Sequence, residues 1–75
     1  MSRNVMDFAK AILNIRTALR ISQQDLAAEL DVSYATVNRW ENGRTMPNKM
    51  TLSVIKNYCT RHHLEFDYKK ETNEQ

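Results

Sequence analysis

Residues 22–43, SQQDLAAELDVSYATVNRWENG, hold two helix starts, one tight connection and one helix stop within a very short span. Ser22 and Asp25 stand at capping-box spacing, so the serine hydroxyl can accept from the third helical N–H; the return partner is usually Glu or Gln, and Asp has the shorter reach. Helix formers run on to Leu30, and Asp31 and Val32 break the pattern. Ser33 offers a second N-cap for a helix over residues 34–42, after which Gly43 can supply the left-handed position that closes it.

So short a connection is the spacing of a helix-turn-helix, in which the first helix braces the second and the second can be laid against a nucleic-acid groove. Leu26, Ala27 and Leu30 form the inner face of the first of these helices, and Val37 and Trp40, at i, i+3, that of the second. Tyr34, Ala35, Asn38, Arg39 and Asn42 take the remaining faces and are available to a partner. Upstream, Val5, Phe8, Ile12, Ile15 and Leu19 recur at three-and-four spacing, with Ala9 and Ala11 filling in, and predict an amphipathic helix capped from Asn4 or Asp7 behind a frayed residue 1–4 terminus. Arg16 lies beside that stripe, and if drawn inside it requires an acid. Downstream, Arg44, Thr45 and Met46 form a loop, and Pro47 separates the third helix from a fourth capped by Asn48. Met50, Leu52, Val54, Ile55, Tyr58 and Cys59 are expected to form its apolar face, ending near Arg61 or His62. Beyond His63, Leu64, Phe66 and Tyr68 alternate with Glu65, Asp67 and Lys69, an extended arm that either packs back on the bundle or pairs with a second copy; the polar residues 70–75 are expected to be disordered.

With 75 residues the chain is one small domain, burying only a little over ~60% of its unfolded surface, so a deep enzyme cleft is not expected. One Gly and one Pro leave little material for turns, which favours an all-helical chain. The expected organisation is a helix-turn-helix domain over residues 1–63 and an arm and tail over 64–75. A lone cysteine, Cys59, the lack of an apolar run near the roughly 20 residues of a membrane span, and the lack of a signal-like terminus predict a cytoplasmic protein with no membrane partner. Net charge is only +2, but it is unevenly placed: between residues 33 and 61 stand Arg39, Arg44, Lys49, Lys56 and Arg61 against Glu41 alone. Segregation of this kind suits an anionic partner met by one face. Cys59, His62 and His63 invite a zinc site or a thiol nucleophile, but the ligands are too few and too close, and no orienting acid is identifiable. Neither metal, cofactor nor catalysis is expected.

The order Ser22-Gln23-Gln24-Asp25-Leu26-Ala27, Val32-Ser33, Thr36-Val37, Trp40-Glu41-Asn42-Gly43-Arg44 and Pro47 resembles the phage-repressor and Cro type (lambda-repressor-like, XRE) helix-turn-helix family, over roughly residues 11–59. The resemblance implies an all-α bundle of four to five helices and sequence-specific binding of duplex DNA as a homodimer on a palindromic operator, as a transcriptional regulator that represses by occupying it. It implies base contacts from Tyr34, Ala35 and Arg39 with Asn38 beside them, phosphate contacts from Gln23, Ser33, Asn42, Arg44 and Lys49, and a structural ion pair between Arg16 and Glu41. Arg39 can then grip guanine bidentately, and Tyr34 can touch a thymine methyl, donate to phosphate, or simply cover the core edge. Two departures stand out. Arg20 and Ile21 replace the Gly frequent before the second helix, so that turn is expected to avoid a left-handed residue, and the arm does not match the family's short fifth helix. The alternative is an antitoxin, or a DNA-targeting or protein-interaction module of a larger assembly, whose arm binds a further protein.

Overall fold

The computed structural model describes residues 5–66. The expectations for residues 1–4 and for the arm beyond Phe66 lie outside the described residues. Within them the chain forms α1 (Val5–Leu19), α2 (Gln23–Leu30), α3 (Tyr34–Glu41) and α4 (Lys49–Arg61), with no strand among the described residues. The fold is all-α, and among the described residues no helix is long and apolar enough to cross a membrane.

Each start is closed by its own sequence. Ser22 accepts from the Asp25 N–H at 3.0 Å while Asp25 reaches back to the Ser22 N–H at 3.2 Å, so the shorter acid still completes the capping box. Ser33 accepts from the Thr36 N–H at 3.1 Å, and the Asn48 side chain accepts from the Thr51 N–H at 2.8 Å.

The helix ends follow one rule. Residues 20, 31, 43 and 63 adopt φ of 59°, 60°, 71° and 59°, all left-handed. The N–H one residue further on then returns to a carbonyl five back: Ile21 to Arg16 at 3.2 Å, Val32 to Ala27 at 2.9 Å, Arg44 to Arg39 at 3.0 Å and Leu64 to Cys59 at 2.8 Å. These are Schellman closures, and Ile21, Val32 and Leu64 complete them by packing against the core. Only Gly43 among the four left-handed residues is a glycine. The expectation that the turn after α1 avoids a left-handed residue is therefore wrong: Arg20 takes that conformation, because the closure and the burial of Ile21 outweigh its steric penalty of about 1–2 kcal/mol.

Phe8, Ala11, Ile12 and Ile15 of α1, Leu26, Ala27 and Leu30 of α2, Val37 and Trp40 of α3, and Leu52, Ile55, Tyr58 and Cys59 of α4 make one core. Met50 and Val54, expected on the α4 apolar face, are 77% and 42% exposed. At about 100° per residue they lie some 160–200° around the helix from Leu52, on the far side from the bundle. Leu64 and Phe66 are half-buried on the core, the first of the two fates open to the arm, and they form neither a helix nor a strand. Phe8 is the hub there: its ring meets Trp40 edge to face at 5.6 Å and Phe66 at 6.4 Å.

Candidate nucleic-acid interface

The orientation of α3 is set by its inner side. Val37 and Trp40 are buried, and Glu41, the last residue of the helix, reaches α1. The Arg16 guanidinium donates to both carboxylate oxygens of Glu41, Nε to Oε2 at 2.6 Å and Nη2 to Oε1 at 2.9 Å, a bidentate pair on the half-buried seam between the helices. Its remaining nitrogen, Nη1, donates to the Ile21 carbonyl at 3.1 Å and so also ties down the connection between α1 and α2. Burial pushes the Glu41 carboxyl up, but the hydrogen bonds from Arg16 and Gln23 and the Arg16 charge outweigh it, and the group is held below its ordinary range. Arg16 is correspondingly raised, chiefly by its hydrogen bond to Glu41.

On the other side of α3, Tyr34, Ala35, Asn38, Arg39 and Asn42 fall within one arc of about 140°. Tyr34 is half exposed, and Ala35, Arg39 and Asn42 are exposed; Asn38 is half-buried. Among the described residues the Arg39 side chain meets only the Thr36 hydroxyl, at 3.4 Å, which leaves its guanidinium fork turned to solvent. Thr36 in turn shares a 2.8 Å hydrogen bond with Ser33. The Asn42 amide donates to the Asn38 carbonyl at 2.9 Å and to the Asn38 side chain at 3.3 Å, so the two amides hold one another at the end of the helix.

The flanking candidates differ in how free they are. Arg44 lies in the loop after α3 and Lys49 in the first turn of α4, both exposed. Ser33 is exposed, although its hydroxyl already serves the cap of α3. Gln23 is half-buried, and its amide donates to Glu41 at 3.0 Å, so it braces the ion pair from the start of α2. Neither that brace nor the Ser33-Thr36-Arg39 chain was expected from the sequence. The second was within reach, since Thr36 stands three residues after the cap and three before Arg39, while the first depends on two helices meeting.

The other chemistry-bearing groups go elsewhere. Cys59 is fully enclosed in the core, and burial pushes its thiol up. His62 packs against Tyr58 with ring centres 4.3 Å apart and the ring planes tilted by 47°. Among the described residues no three His, Cys, Asp or Glu side chains are grouped to hold a metal.

Two short helices at a tight turn, the second pinned from behind and open in front, define a helix-turn-helix. A family model described as helix-turn-helix matches residues 12–65, and the chain belongs to that family, of the XRE type. It is 32% identical over 53 residues to the HTH-type transcriptional activator BcrR of Enterococcus faecalis, a match that takes in 71% of this chain and 26% of that protein. The chain thus spans about a quarter of the length of that relative. No solved structure matches it.

Proposed function

We propose that the chain is a DNA-binding transcriptional regulator that reads the major groove with the outward face of α3. The observation that carries this is the pairing of a pinned inner face, Val37, Trp40 and Glu41, with an outward face whose longest side chain, the exposed Arg39, has one long 3.4 Å bond to Thr36 as its hydrogen bond among the described residues. Tyr34, Ala35, Asn38 and Arg39 meet base edges; Ser33, Asn42, Arg44 and Lys49 meet phosphates, with the exposed N–H groups at the start of α3 beside them. Gln23 contributes to a phosphate contact while holding Glu41. A homodimer places two such faces about 34 Å apart on a palindromic operator, and repression follows from occupying it. Residues 1–63 carry this activity, and the arm from residue 64 supplies contacts of its own.

Selection from a random duplex pool with the purified protein tests the reading. A recovered palindrome with half-sites one turn apart is the expected result, and no enrichment overturns it. Arg39→Ala should then weaken binding to the selected site by about 5- to 150-fold while barely affecting random duplex, the equivalent of the roughly 1–3 kcal/mol of one bidentate base contact. Arg44→Ala should weaken both equally and reduce the salt slope by about one. Equal losses from Arg39→Ala would remove its base-reading role.

A further inference from the structure

The end of α1, the outer side of α2 and the last turn of α4 enclose an open groove of about 410 Å³. Leu19, Ile21 and Ala28 supply its apolar lining, Asp25 and Glu29 its acids, and Tyr58 and His62 its aromatic side. No residue of α3 lines it, so an occupant leaves the proposed DNA face free.

Two groups in the groove have no hydrogen-bond partner among the described residues. Tyr58 is only 1% exposed, yet its hydroxyl has no hydrogen bond among the described residues. A buried phenol left unsatisfied costs free energy that a ligand atom would recover. The Glu29 carboxylate likewise has no ion pair or hydrogen bond among the described residues, whereas Asp25 is already engaged by the Ser22 N–H. Burial, and after it the charge of Glu29, hold the Tyr58 hydroxyl above its ordinary pKa, so the carboxylate is felt at the phenol. A cationic donor between the two would serve both. The acids disfavour a phosphate there, and the apolar lining favours a cation carried on a hydrocarbon stem.

We propose that this groove binds an arginine side chain presented by a partner protein, its guanidinium donating to Glu29 and to the Tyr58 oxygen and its methylenes lying along Leu19, Ile21 and Ala28. Arginine suits the site better than lysine because two acceptors on different helices need a planar fork, and because a guanidinium can lie against the exposed His62 ring beside Tyr58. The proposal is independent of the DNA reading, since none of these residues belongs to α3.

Titration of the full chain, labelled with nitrogen-15, with a capped Ala-Leu-Arg-Leu-Ala peptide tests it. The expected result is saturable amide shifts at Ile21, Ala28, Glu29 and His62 and none at Ala35 or Arg39. Affinity should fall at least about tenfold in Glu29→Gln and about fivefold in Tyr58→Phe, the usual worth of a charged and a neutral hydrogen bond. Both substitutions keep the shape of the side chain, and matching melting curves would exclude unfolding as the cause. Absence of shifts up to about 5 mM peptide, equal binding of the same peptide with Gln in place of Arg, or undiminished binding by both variants overturns the proposal. Agmatine binding as tightly as the peptide would also overturn it, assigning the groove to a free small cation.

Discussion

The two faces of α3 are held by different kinds of contact. The inner face is fixed by groups far away in sequence: Phe8 against Trp40, and Arg16 against Glu41. Among the described residues the outer face is held by its own helix and cap, Arg39 on Thr36, Thr36 on Ser33 and Asn42 on Asn38. Apart from Gln23, which braces Glu41 beside the proposed DNA face, the residues that aim the helix stay off its outward surface, and those on that surface can change without disturbing the aim. One face should answer to stability measurements and the other to binding measurements.

Trp40→Ala is the most severe test of that separation. Removing a buried indole from the Phe8 hub should cost about 3–5 kcal/mol in chemical denaturation, and a loss below about 1 kcal/mol would put the inner face on the same footing as the outer. Glu41→Ala comes next, at about 2 kcal/mol, because it strands the Arg16 guanidinium on a half-buried seam. Since the folded Glu41 carboxyl is held below its ordinary value, its stabilisation is fully present above about pH 4.3 and is lost as pH falls through the folded value. Glu41→Gln should consequently flatten the acid limb of the stability profile, and an unchanged limb would mean that other carboxylates carry it.

Substitutions at the helix closures should have smaller effects of opposite sign. Gly43→Ala places a Cβ at positive φ and against the Met6 sulfur, and should destabilise by about 1–2 kcal/mol. Arg20→Gly relieves the same backbone penalty but frees the unfolded chain, leaving a net gain of at most about 1 kcal/mol in melting experiments. Arg39→Ala should be the smallest, within about 0.5 kcal/mol of the parent, although it has the larger effect on operator binding. A marked fall in its melting temperature would show that the outer face also supports the fold.

Much of this was legible because it is local. A cap needs only residues within one turn, so Ser22 with Asp25, Ser33 and Asn48 announced three helix starts, and Val37 with Trp40 declared which side of α3 is inside. The outward set, Tyr34, Ala35, Asn38, Arg39 and Asn42, follows from the same geometry by exclusion. Arg16 could be read as needing an acid, but its partner stands 25 residues away, and the family resemblance rather than its spacing pointed to Glu41. Met50 and Val54 misled because hydrophobicity marks a residue fit for a core, while position around the helix decides whether a core reaches it. Gln23 had a role out of view: a neutral donor at a helix start suits a phosphate, and only the arrival of α3 gives it Glu41 as well.

By itself the sequence of residues 22–43 determined that two capped helices meet at a tight turn and that one of them keeps an arginine on its outer side, since caps and helical periodicity act over a few residues. The tertiary structure decided what required distant groups to converge. It chose Arg20, Asp31 and His63 for left-handed closures that glycine would ordinarily fill, because the apolar residue after each has a core to enter. It folded the start of the arm back onto Phe8, tied α3 to α1 through Arg16, and opened beside α2 a groove that no single stretch of the chain foretells.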